Sequence, residues 1–378
     1  MECKDITFIK QANKFFIFFN FNSLYSKLLM LKQKRNTIIK WFNKHQRMLP
    51  WRQTKDAYKI WLSEIILQQT RVQQGLPYYQ KFVEHFPNVK LLASAEEDMV
   101  LHLWQGLGYY SRARNMHFSA KIIEEKFHGV FPSNYADIRK LKGVGDYTAA
   151  AIASFAFGLP YVAIDGNVMR VISRLFGIEE DIQLNSTKKA ITAIAQQMMG
   201  NSDPALFNQS MMEFGALQCT AASPNCLNCP LQDDCFALKN NKVTQLPLKI
   251  NKTKIRSRYF NYLIIKTQDS AIYIRRRTRK DIWQNLYEFP LVESKNRLSV
   301  EELMVQIHQQ EICKSAIDIS LRTKEIKHKL SHQLLHIHFN IIRCKSLKIS
   351  PKWIKIPLEE IADYPFPEVI NKNKEYFI

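Results

Sequence analysis

The sequence predicts a mostly α-helical region followed by an α+β domain, and three observations carry that prediction. From Thr37 to Cys235 apolar residues recur at spacings of three and four, with short Gly, Pro, Asn and Asp breaks between segments. The stretch 242–258, KVTQLPLKINKTKIRSR, holds six Lys or Arg, no acid and one proline, and reads as a basic linker. Beyond Tyr259 the apolar period falls towards two. At roughly 150 residues per domain, 378 residues allow two or three separate cores.

Residues 1–35 read as an N-terminal extension. Phe15 to Leu31 is apolar but interrupted by Asn20, Asn22, Ser23, Ser26 and Lys27, too broken for a bilayer span of about 20 apolar residues. It carries no small-residue cleavage site of the signal-peptide kind. The segment is expected to pack poorly, or to precede the real start, with Met30 just ahead of the first clearly amphipathic region. Helical segments follow at Tyr58 to Gln74, Pro87 to Trp104 and Thr148 to Phe157. In the domain expected at 259–378, YFNYLIIK and SAIYIRRR flank a turn at Gln268 and Asp269. LLHIHFNII alternates Leu335, Ile337, Phe339 and Ile341 with His336, His338 and Asn340, which are expected on the polar face of a strand.

The formal net charge of +20 points to a polyanionic partner, nucleic acid first and an anionic membrane surface second. Of seven cysteines, Cys219, Cys226, Cys229 and Cys235 fall within one run, CTAASPNCLNCPLQDDC, while Cys3, Cys313 and Cys344 are scattered. With no secretion signal, such clustering argues for a metal site in a reducing, cytoplasmic setting rather than for disulfides. Four thiolates at Cys-x6-Cys-x2-Cys-x5-Cys suit zinc or an iron–sulfur cluster. Zinc prefers two separated Cys-x2-4-Cys knuckles and there is one here, so a 4Fe-4S cluster is favoured.

In LKGVG, Leu141 to Gly145, Gly143 and Gly145 permit backbone angles that a side chain forbids and, with Val144, bare the amides at a helix start. Such amides bind phosphate oxygens without reading sequence, although Gly-x-Gly turns also make plain helix corners. Asp165 stands where an apolar run gives way to an amphipathic helix, and is either an ordinary N-cap or an ionised, oriented carboxylate facing a developing cation. Glu64 has Ile60, Trp61, Leu67 and Gln68 at three and four, so it is either a solvated face-edge glutamate or a buried acid whose raised pKa keeps a proton to donate.

Together these motifs resemble the helix-hairpin-helix base-excision DNA glycosylases that carry an iron–sulfur cluster. Within them, LPWR (Leu49 to Arg52), WLSEIILQQTRV (Trp61 to Val72), WQGLGYYSRARN (Trp104 to Asn115), IDGNVMRV (Ile164 to Val171) and MEFGALQC (Met212 to Cys219) are similar to the MutY-type adenine DNA glycosylases. The resemblance covers residues 36–240, with a hairpin at about 138–157 and the cluster loop at 219–235. It extends more loosely to a Nudix-like lesion-recognition domain, where RRRTRKDIWQNLYEFPLVE matches but no Arg-Glu-x-x-Glu-Glu helix follows Pro290. That domain is expected to bind rather than hydrolyse.

The resemblance implies excision of adenine mispaired with 8-oxoguanine or guanine in duplex DNA, by a monomer that does not act at membranes. It makes Glu64 the proton donor and Asp165 the partner of the sugar cation, supported by Tyr147 and Asn167. It places Gln69, Thr70 and Tyr109 near the lesion, Arg47, Leu49, Trp51, Arg52 and Gln209 around the adenine pocket, and Gly143, Val144 and Gly145 on the DNA backbone. Ser331 and His332 match a Phe-Ser-His lesion loop in which Leu330 replaces the aromatic residue. A related enzyme in that family, endonuclease III, carries at the Tyr147 position a lysine that forms a Schiff base; tyrosine cannot, which favours simple hydrolysis. A bifunctional glycosylase/lyase and a non-catalytic iron–sulfur DNA-binding protein are the competing expectations.

Overall fold

A computed structural model describes residues 23–250, 255–267, 269–312, 317–344 and 350–376. The first 22 residues, Cys3, Cys313 and the predicted turn residue Gln268 therefore lie outside the described residues. None of the described helices is long and apolar enough to cross a membrane. The chain divides into two compact units that interleave along the sequence: residues 1–61, 133–140 and 144–251, and residues 62–132, 141–143 and 252–378.

The first unit is helical. Helix α1 (Ser23–His45) begins inside the predicted extension and buries Leu31, Lys34, Ile38 and Phe42. Its Lys34 pairs with Asp234 at 2.6 Å, so packing of this helix starts well before residue 36. After the 3-10 turn Pro50–Arg52 comes α2 (Ala57–Ile66), whose first turn donates to the Asp56 carboxylate. The sequence period ran on to Gln74. The helix stops at Ile66, and α3 (Val72–His85) starts after a break in which Gln69 has φ +58°. The predicted segment 87–104 likewise resolves into α4 (Val89–Ser94) and α5 (Glu97–Leu103), and α6 (Ser111–Phe127) follows.

Returning to the first unit, α7 (Tyr135–Lys140) and α8 (Asp146–Phe157) flank the Gly-Val-Gly turn. Helices α9 (Gly166–Phe176), α10 (Asn185–Met199) and α11 (Pro204–Leu217) then build the core. There Val168, Val171, Ile172, Ile191, Met198 and Phe214 pack around Leu31 and Ile38. The cysteine loop closes with α12 (Phe236–Lys239).

In the second unit, α3 to α6 share a body with an α/β domain. One sheet has the order β4-β1-β7-β5, from β1 (Arg256–Ile265), β4 (Leu291–Ser294), β7 (Gln333–Cys344) and β5 (Ile317–Arg322). β6 (Ile326–Lys329) continues the edge along β7. β1 and β7 run parallel and the other pairs antiparallel. A second sheet orders β3 (Tyr287–Glu288), β2 (Ala271–Arg276) and β8 (Trp353–Pro357).

Leu335, Ile337 and Phe339 point into the core between the sheets, as the alternation requires. The opposite face of β7 is not a solvent face: His338 is 5% and Asn340 0% exposed. Helix α13 (Val300–Gln309) packs Leu303 and Ile307 on that face, with Leu263 and Ile342. Both faces of the strand are therefore covered.

Candidate active site

In the first unit, Asp165 caps α9. Its Oδ1 accepts from the Val168 amide and its Oδ2 from Asn167 Nδ2, both at 2.7 Å. Asn167 Oδ1 accepts from Arg170 Nη2 at 2.8 Å. The same guanidinium donates to the carbonyls of Gly215 at 2.7 Å and Cys219 at 2.8 Å. An unbroken hydrogen-bonded line thus joins the first cysteine of the 219–235 loop to the Asp165 carboxylate. Burial pushes that carboxyl above its ordinary value, against the Val168 amide, Asn167 and Arg170, which favour the anion. The N-cap expectation holds, but burial works against the ionised form that it presumed.

A Cβ on Gly215 would lie 2.7 Å from Asn167 Cβ and 2.9 Å from its carbonyl oxygen. α11 approaches α9 this closely only because residue 215 has no side chain. Gly215→Ala is expected to cost about 1–3 kcal/mol by overpacking, seen in thermal melts as a loss of about 2–10 °C. An unchanged melting temperature would show that the contact is easily relieved.

The Leu49 to Arg52 segment is anchored by a buried acid, Glu213, on α11. Arg47 binds it through Nε at 2.9 Å and Nη2 at 2.6 Å, and Arg52 through Nη1 at 3.0 Å and Nη2 at 2.7 Å. Burial alone would raise the Glu213 carboxyl; the hydrogen bonds from Arg47 and Arg52 outweigh it and hold it at about 2. A depressed value means that this stabilisation is present above pH 4.5 and is lost as pH falls towards 2, an effect on the order of 3 kcal/mol. The wild type should therefore lose more stability than Glu213→Gln between pH 5 and pH 2.5; parallel losses in thermal melts would refute the linkage. Leu49 is buried, Trp51 is only partly so, and Gln209 lies one helical turn before Glu213 on the same face.

Tyr147, on the first turn of α8, packs against Ala150, Ala151 and Ala163. Gly143 has φ +84°, a left-handed angle that suits glycine. Gly145 is the N-cap of α8, in extended backbone. Val144 is 3% exposed, so its side chain is core and only its backbone is available to a ligand.

Cys219, Cys226, Cys229 and Cys235 are free, half-buried and line a single cavity of about 30 Å³. Arg174, 3% exposed, donates to Cys219 Sγ at 3.5 Å and to the carbonyls of Thr220 and Ala221. Burial raises the Cys229 thiol to about 11, and burial with the neighbouring cysteines raises Cys226. No three His, Cys, Asp or Glu side chains among the described residues converge closely enough for one ion. Four soft sulfurs around one cavity, with a guanidinium donating to that of Cys219, nevertheless fit a multi-iron cluster.

In the second unit, Glu64 is 5% exposed on a helix whose neighbours Leu62, Ser63, Ile65 and Ile66 are all buried. The solvated alternative is excluded. Arg112 binds the end of that helix: its Nη1 donates to the carbonyls of Ile65 at 3.0 Å and Ile66 at 2.8 Å. Its Nη2 reaches Thr70 Oγ1, Leu107 O and Gly108 O, each at 3.3 Å. Burial lowers this guanidinium to about 10, still protonated at neutral pH. One cation therefore staples the end of α2 to the two loops that present Gln69 and Tyr109.

Both of those residues are exposed and left-handed, at φ +58° and +47°. Non-glycine residues held there are strained, and such strain gathers at ligand clamps. Tyr109 Oη contacts Ser331 Oγ. His332 is exposed, with its carbonyl accepting from the Arg256 amide. Leu330 packs against the inter-sheet core.

Glu213, Arg170, Gly215, Arg174 and Arg112 were missed by sequence reasoning. All but Arg174 sit inside the quoted motifs MEFGALQC, IDGNVMRV and WQGLGYYSRARN, so motif membership was the available signal.

Residues 62–198 match the HhH-GPD superfamily of base excision DNA repair proteins, and residues 261–375 match a NUDIX domain. The adenine DNA glycosylase of Buchnera aphidicola subsp. Baizongia pistaciae is 36% identical over 352 residues, covering 90% of this chain and 96% of that protein. Among solved structures, a thermostable thymine-DNA glycosylase aligns with a TM-score of 0.51 at 28% identity, over 56% of this chain and 97% of that one. An endonuclease III–DNA complex aligns with a TM-score of 0.50 at 22% identity, over 57% and 97%, and shares the fold.

Proposed function

We propose that this chain, which belongs to the adenine DNA glycosylase family, removes adenine mispaired with 8-oxoguanine or guanine in double-stranded DNA by hydrolysis, without cutting the strand. The observation that carries the reading is the contrast between its two acids. Glu64 is 5% exposed on α2; Asp165 is held by the Val168 amide and by Asn167 at the N-terminus of α9. A buried carboxyl suits proton donation, and one oriented at a helix N-terminus, with the Val168 amide, Asn167 and Arg170 favouring its anion against burial, suits facing a cation.

Adenine must leave the helix stack before it can react, and Gln69 and Tyr109, strained and exposed, are suited to fill the gap. Glu64 then protonates a ring nitrogen of the adenine. The electron pair of the breaking C1′–N9 bond goes to the base, and the sugar acquires oxocarbenium character. Asp165 stabilises that cation or traps it covalently, as in retaining glycosidases, before water adds at C1′. Tyr147 and Asn167 support Asp165, the latter through its 2.7 Å bond. Arg47, Leu49, Trp51, Arg52 and Gln209 would line the base pocket, and the amides of Gly143 to Gly145 would take a backbone phosphate. Ser331 and His332 would read the opposite base.

Cys219, Cys226, Cys229 and Cys235 would hold the 4Fe-4S cluster. When bound, the cluster would cross-link the loop that Arg170 and Arg174 tie to α9. The working division is 36–240 for catalysis and 259–378 for lesion recognition, in a monomer acting on DNA in the cytoplasm.

Duplexes carrying adenine opposite 8-oxoguanine, guanine or thymine test the reading. Alkali-labile sites are expected with the first two and not the third, with no product trapped by borohydride. Trapping would favour the bifunctional alternative, and equal cleavage of all three would remove the mispair specificity.

A further inference from the structure

Outside the residues assigned above, the α/β domain holds an open cavity of about 500 Å³ where the edge strand breaks between β5 and β6. Three cations line it: Arg297, Arg322 and Lys324. One carboxylate also lines it, Glu325, but His336 Nδ1 engages that group at 3.1 Å, with Lys327 at 3.9 Å. Arg322 is fixed through Nη2 to Leu298 O at 2.8 Å and Asn261 Oδ1 at 3.4 Å. Burial, and then Arg297, lower its pKa, while the Glu301 carboxylate raises it; the two guanidiniums still stand close enough to repel each other.

Two further features point to what is missing. α13 starts at the cavity rim, and its capping box satisfies the Ser299 and Glu302 amides while leaving that of Val300 without an intrahelical acceptor. His338 lines the same cavity, 95% buried. Its Nδ1 donates to Thr323 O at 2.9 Å, which leaves Nε2 a bare acceptor with no partner. A buried lone pair without a donor has lost its hydration without replacement, which a bound donor would restore. A tetrahedral oxyanion that also carries a hydroxyl would satisfy the guanidiniums, the amide and this nitrogen together.

We infer that this cavity is a phosphate-binding site, distinct from the hairpin and from the base pocket. The phosphate belongs either to the DNA backbone or to a free phosphorylated compound. The inference does not depend on base release, so it stands or falls separately from the glycosylase reading.

The test uses the full chain with ¹⁵N-labelled histidine, following His338 by NMR, its resonance identified by its absence from H338Q. Inorganic phosphate, against chloride at equal ionic strength, is expected to shift His338 saturably. The exposed pair Arg297→Gln/Lys324→Gln should weaken that binding about tenfold or more. Undamaged duplex supplies the second arm. If the duplex also shifts His338, and the double variant lowers the salt slope of duplex binding by about one, the source is a backbone phosphate. A shift with phosphate alone assigns the site to a free compound. No shift with either ligand, or identical binding by the double variant, overturns the inference.

Discussion

Glu64→Gln lowers the rate of adenine release by about 100- to 10,000-fold, the usual contribution of a general acid, while binding of the mispaired duplex is preserved. Glutamine has the shape of glutamate and no proton to give at acidic strength. Glu64 is 5% exposed in a helix whose flanking residues are buried, so an uncharged isostere leaves packing intact. The outcome is read from single-turnover rates beside equilibrium binding. A variant that binds DNA normally and turns over at the wild-type rate would remove Glu64 from the chemistry.

Asp165→Asn separates two roles that coincide in one residue. Asparagine caps helices as well as aspartate, so an N-cap alone predicts little change. Opposing a sugar cation requires the charge, and its loss is expected to reduce release by on the order of 1000-fold. Stability should move by no more than about 1 kcal/mol. Burial disfavours the Asp165 anion, so removing the charge relieves a cost. Against this, the new amide would face the Asn167 amide now bound to Oδ2, and Asn167 cannot turn without breaking its bond to Arg170. Thermal melts beside single-turnover rates check both halves; near-normal release would reduce Asp165 to a helix cap.

Local chemistry made much of this legible in the sequence. The Asp165 cap, the glycines of the hairpin and the switch of apolar period after Tyr259 all follow from rules spanning a few residues. What escaped depends on partners distant in the chain. The 3.6 period runs unbroken through IILQQTRVQQ, with no Gly or Pro before Gly75, yet α2 ends at Ile66. The freed carbonyls of Ile65 and Ile66 are taken by Arg112, more than 40 residues away. His338 and Asn340 looked like a solvent face because nothing in the strand announces that α13 lies over it. Glu213 looked like one acid in a motif; its importance comes from Arg47 and Arg52, found only after folding brings them to it. The cysteine spacing singled out four residues that line one cavity, whereas the Arg170 connection from Cys219 to Asp165 is tertiary throughout.

The most direct measurement is the free base released in a single turnover from a duplex with adenine opposite 8-oxoguanine, quantified by chromatography with the strand left intact. Stoichiometric free adenine, with cleavage appearing only after alkali, is the predicted result. Strand scission without alkali, or no adenine released by cluster-replete protein, would contradict it.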